Sequence, residues 1–235
     1  MTKSKFMRVA AVLMAAVLLT TCAISGTFAK YVTTGGRAAE TARVAKWGVT
    51  ITGSTDPLFK ASYETDDTDK SSTISMSVTS VNGTDKVVAP GTTGTISTLG
   101  ITGSPEVAFH VAYTGTLDLG DNWVLADGTT EYCPLVITVG SEPYYIGKTA
   151  AIDSVSDLED AVNAAFAALS ADYAPNASVT ATASSVTWSW PFDAAAGASY
   201  TGWTGTDAND NVLGNKTTNI PEISFAATAT VTQID

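Results

Sequence analysis

Polar and apolar residues alternate along much of this chain. Trp47, Val49 and Ile51 are separated by small or polar residues, and so are Ile74, Met76 and Val78. This period of two predicts strands with one wet face. Further strands are predicted at residues 95–101, at Val107, Phe109, Val111 and Tyr113, at Leu135, Ile137 and Val139, and at Val186, Trp188 and Trp190. A last one runs through Ile223, Phe225, Ala227, Ala229 and Val231, and Trp123-Val124-Leu125 is a shorter candidate. Asn82-Gly83, Pro90-Gly91, Gly103-Ser104-Pro105 and Asp127-Gly128 supply turn chemistry between them. About seven short strands predict an all-β, two-sheet sandwich.

One stretch departs from that period. Ser156-Asp157-Leu158-Glu159 has the form of a capping box, and Leu158, Val162, Phe166 and Leu169 follow at helical spacing. A helical insert over about 156–170 is predicted, so the sandwich carries one or two short helices. Asp207-Ala208-Asn209-Asp210-Asn211 has some calcium-loop character, but Val212 and Thr218 occupy the places of the turn glycine and the bidentate glutamate. An ordinary polar loop is predicted there. Asp66, Asp67 and Asp69 form an acidic loop open to weak calcium binding.

The N-terminus has a different pattern. Lys3, Lys5 and Arg8 precede an apolar run from Val9 to Ile24, and Thr27 and Ala29 supply small residues before a cut after Ala29, which would leave Lys30 first. Residues 1–29 are therefore read as a signal peptide with a helical apolar core, and the protein as secreted. An uncleaved anchor and a lipid attachment at Cys22 are the alternatives. After the cut only Cys133 remains, so no intramolecular disulfide is expected, and Cys133 reads as a small buried hydrophobe.

Charge divides the remainder. The formal net charge is −11, which makes nucleic acid an unsuitable partner. Residues 30–46, in contrast, carry Lys30, Arg37, Arg43 and Lys46 against Glu40 alone. This extended cationic segment, with Tyr31, Val32 and Val44 as its apolar members, is a candidate donor strand for the sheet of an acidic neighbour; residues 47–235 form the sandwich domain. A head-to-tail contact of that kind gives filaments if it does not close into a ring. The other reading of these charges is a basic stretch acting on orientation during export.

Catalytic chemistry has little to stand on. The single histidine, His110, falls on the wet face of its strand, and no metal-ligand spacing, nucleophile elbow or phosphate loop occurs. No enzyme activity, metal or cofactor is expected. Trp188, Trp190, Trp203, Tyr144 and Tyr145 are read as core, with a sugar-binding platform as the competing use.

Three features resemble the TasA and camelysin group of SipW-dependent secreted proteins of Gram-positive bacteria. These are the signal end Gly26-Thr27-Phe28-Ala29-Lys30-Tyr31, the turn Val88-Ala89-Pro90-Gly91-Thr92-Thr93-Gly94 ahead of Pro105-Glu106-Val107-Ala108, and the ending from Phe225 to Ile234. The resemblance implies a jelly-roll sandwich, cleavage by a signal peptidase of the SipW type, and self-assembly into biofilm matrix fibres by donor-strand addition. Camelysin is described as a metalloprotease, but this chain lacks the ligands for that activity. The expected function is thus a subunit of an extracellular or biofilm matrix fibre, located at the cell surface or in the matrix. The alternative is a monomeric cell-surface adhesin or carbohydrate-binding module.

Overall fold

Strands form where the alternation is strongest, and the longest shows why. β6 (Phe109–Asp118) buries Phe109, Val111, Tyr113 and Leu117 on one face and turns Thr114, Thr116 and Asp118 to solvent on the other. The computed structural model describes residues 43–53, 57–64, 76–97, 99–178, 186–192 and 196–234. Within them β6 pairs antiparallel along its whole length with β11 (Ser224–Gln233), and at its start with β9 (Ala171–Tyr173), giving the order β11-β6-β9. A second sheet has the order β4-β10-β7-β8, from β4 (Thr93–Ser97), β10 (Val186–Ser189), β7 (Val136–Val139) and β8 (Glu142–Tyr144). β1 (Thr50–Thr52) pairs with β5 (Gly100–Thr102), and β2 (Ser62–Glu64) with β3 (Met76–Thr79), each antiparallel.

Among the described residues the unit Val44–Asp235 is therefore β-rich, with several antiparallel sheets and two short α-helices around a single apolar cluster. Phe109, Val111, Ile137, Val139, Val186 and Trp188 from both larger sheets meet there with Leu158, Val162 and Phe166. The stretch 95–101, expected as one strand, divides between β4 and β5, which belong to different sheets. Trp123-Val124-Leu125 makes only the isolated bridge Val124–Glu131. Ile51 was expected on a covered face, yet all three residues of β1 are exposed and Val49 is the one packed on the core.

α1 (Val155–Ala167) confirms the helical insert with a different start. Ser154, not Ser156, is the N-cap: its hydroxyl accepts from the Asp157 N–H at 3.1 Å. Leu158, Val162 and Phe166 are fully buried, each worth about 1.5–3 kcal/mol of burial. Phe166 lies against Gly115 of β6, where an added Cβ would stand 2.6 Å from its ring. The helix also takes over a sheet edge. β9 covers β6 only as far as Val111; beyond it the N–H of Tyr113 donates to Ser170 Oγ (3.0 Å), that of Leu117 to Asn163 Oδ1 (2.8 Å), and that of Leu119 to Glu159 Oε1 (2.6 Å). Side chains of α1 and of the turn after it satisfy donors that a neighbouring strand would otherwise take.

The segment read as a polar loop at 207–211 is instead the start of α2 (Asp207–Gly214). Thr206 caps it by accepting from the Asn209 N–H at 3.3 Å, and Leu213 and Asp210 point inward. Trp203, just before it, donates to Pro134 O at 3.0 Å.

Candidate functional site

β11 has the sequence Ser-Phe-Ala-Ala-Thr-Ala-Thr-Val-Thr-Gln, without an ionisable side chain, a proline or a glycine. Phe225 is buried, and Ala227, Ala229 and Val231 lie partly buried against the core, while Ser224, Ala226, Thr228, Thr230 and Thr232 are exposed. Among the described residues this strand pairs with β6 alone, so no described strand is hydrogen-bonded to its second edge, although β4 lies close to β11. Natural edge strands are usually shortened, charged or bulged against further pairing. β8, at three residues with Pro143 in its middle, shows such protection; β11 shows none. The opposite side of the same sheet is the one covered by β9 and α1. Alternation predicts the strand itself, and the lack of charge is the signal for its open edge, a signal that periodicity passes over.

The leading segment reaches the body nearby. Lys46 N donates to Glu106 Oε2 at 2.9 Å, and Glu106 N donates to Lys46 O at 3.0 Å. Gly103 allows the close approach that follows: its φ is 137°, and an added Cβ would stand 2.0 Å from Gly48 O. Trp47 then packs edge-on against Phe109 at 6.4 Å. Lys46, expected within the donor segment, is thus held by its own body, while Arg43 and Val44 are exposed just before it. The remaining predicted positions of that segment, Lys30, Tyr31, Val32 and Arg37, lie outside the described residues, as do the cleavage residues Thr27 and Ala29 and the acidic loop at Asp66, Asp67 and Asp69.

Other candidates resolve into structure. His110 is not without a partner: its Nδ1 lies 2.6 Å from Asp172 Oδ1, across the β6–β9 pairing. Cys133 is buried, and burial pushes its thiol up to about 12, which removes it from thiolate chemistry. Trp188 and Trp190 belong to the core with Trp123, and Tyr145 is buried with its hydroxyl donating to Thr201 O at 2.9 Å. Tyr144 lies beneath the Lys148 ammonium, 4.4 Å from the ring centre. Tyr132 OH donates to Asp210 Oδ1 at 2.6 Å, and burial raises the pKa of both groups.

A cleft of about 260 Å³ opens near the start of α1, lined by Asp118, Asp121, Trp123, Glu131 and Glu159 among others. Two of its carboxylates are engaged in holding the backbone, Glu131 Oε2 accepting from Val155 N at 2.7 Å and Glu159 from Leu119 N. Among the described residues no group of three His, Cys, Asp or Glu could hold a metal ion, and no helix is long and apolar enough to cross a membrane. Comparison with protein families, with curated proteins and with solved structures finds no match to this chain.

Proposed function

We propose that this protein is a secreted structural subunit of an extracellular or biofilm matrix fibre, in which the leading segment of one copy adds as a strand to the sheet of the next. The observation that carries this reading is the uncharged ten-residue β11, which has no strand paired to its second edge among the described residues. Main-chain groups along such an edge supply affinity to an extended peptide. Charge supplies direction: residues 30–45 carry Lys30, Arg37 and Arg43 against Glu40, and the chain as a whole is at −11. In this reading the two larger sheets form the jelly-roll sandwich implied by the resemblance to the TasA and camelysin group. Export and cleavage after Ala29 by a SipW-type peptidase free the donor.

The alternative of a monomeric adhesin or glycan-binding module draws on Trp188, Trp190 and Trp203, of which Trp188 and Trp190 are buried in the core while Trp203 is only partly buried. Electron microscopy of the purified, processed protein tests the fibre. Fibres are expected from protein that begins at Lys30 and none from protein that begins at Arg43. Fibres of equal length from both would overturn strand donation.

A further inference from the structure

The direction in which each main-chain group of β11 points follows from its partner. In β6 the N–H groups of Tyr113 and Leu117, and just past its end that of Leu119, are taken on the α1 side. Alternate residues of an antiparallel strand aim their N–H and C=O at opposite edges, so the even-numbered residues of β6 face β11. Thr114↔Thr228 and Ala112↔Thr230 are therefore bonded pairs, and Ile234 N donating to Ala108 O at 3.0 Å continues the series. It follows that Phe225, Ala227, Ala229, Val231 and Gln233 direct both main-chain groups away from β6, to the side where no described strand pairs.

These five residues are symmetric about Ala229. A second copy laid antiparallel on this edge, with a two-fold axis at Ala229, pairs Phe225 with Gln233, Ala227 with Val231, and Ala229 with itself. Five residues from each copy then exchange about ten main-chain hydrogen bonds. Between them Ala226 faces Thr232 and Thr228 faces Thr230, all small or β-branched and none charged. The far side of the sheet is covered by β9 and α1, so association through this sheet closes at two copies.

We propose that two copies of this chain pair through β11 about a two-fold axis at Ala229, as a resting dimer that covers the strand-accepting edge. This inference rests on the reading of β11 as a strand-accepting edge. It also gives that edge a regulator, because a paired edge is closed to the leading segment of any other copy. The two occupants respond to salt in opposite senses. Two acidic bodies repel, so added salt tightens the dimer, whereas the cationic leading segment binds an acidic body less well as salt rises.

Cross-linking tests the register. Thr228 and Thr230 would form a non-bonded pair with Cα atoms about 4.5 Å apart, within disulfide reach. Mild oxidation of an equal mixture of Thr228→Cys and Thr230→Cys protein should give a mixed covalent dimer well in excess of what either variant gives alone. Ala229→Pro removes an N–H that faces the open edge and leaves the β6 ladder intact. It should move the monomer–dimer midpoint at least about tenfold higher in concentration. Thr228→Lys places exposed charges near the axis and should weaken the dimer in the same way without touching the core. No preference for the mixed disulfide, or a dimer unaltered by both Ala229→Pro and Thr228→Lys, overturns the inference. Microscopy of the same samples separates the two readings: fibres without the 228–230 cross-link sink the dimer alone, and the cross-link without fibres sinks the fibre alone.

Discussion

Asp210 stands on the first turn of α2 with its carboxylate buried against the Tyr132 hydroxyl. Burial raises its pKa, so the folded protein holds this proton more tightly than the unfolded chain does. The stabilisation is present below the ordinary carboxylate range and is lost as pH rises through the raised value. Asp127 acts in the opposite sense. Its carboxylate accepts from the Thr130 hydroxyl first, and from the Thr129 and Thr130 N–H groups, which lowers its pKa to about 2. Its contribution is present above the usual value of 3.8 and fades as pH falls toward 2. Asp210→Asn keeps an acceptor for Tyr132 without a charge to bury. It should hold or raise the melting temperature at pH 7, where the buried carboxylate is charged; a melting temperature that falls at pH 7 by more than it does in acid, where Asp210 is protonated, would contradict this account. Gly115 makes a second test. Gly115→Ala presses on Phe166 and Phe225, at a cost of about 1–3 kcal/mol in urea unfolding, part of which Phe166→Leu in the same chain should restore.

At the scale of elements, α1 does the work of both a core helix and a missing strand. Asn163→Ala leaves the Leu117 N–H without its acceptor and should cost about 1–3 kcal/mol, with faster hydrogen exchange at the Leu117 amide as the specific readout. Ser154→Ala should cost about 1 kcal/mol, whereas Ser156→Ala, outside the cap, should cost far less. That contrast also shows where sequence reading reached its limit. The apolar spacing of Leu158, Val162 and Phe166 gives the helix and its buried face, but the capping-box pattern points to Ser156, whereas the Asp157 N–H donates to Ser154. β6, β10 and β11 are legible because each has one buried face, and β7 because it is apolar and buried on both. β8 and β9 are not, since Glu142-Pro143-Tyr144 and Ala171-Asp172-Tyr173 are too short to show a period and are held as strands by their neighbours. α2 was hidden because its polar first turn reads like a loop, and Leu213 alone of its apolar residues is buried.

For the whole molecule, the candidate site was half legible. The cationic stretch at 30–46 could be read from charge, but the edge that would receive it could not, because openness belongs to the sheet and not to any one residue. β6 and β11 pair residue for residue, from Asp118 with Ser224 to Phe109 with Gln233, across all the chain that lies between. Pairing so distant in sequence forms late, after the entropy of closing that long loop has been met. A chain emerging from a ribosome or an export channel therefore shows β6 well before it can show β11. The edge proposed to receive another copy therefore does not exist until β11 has followed and paired, so the order of emergence alone would delay contact between newly made copies.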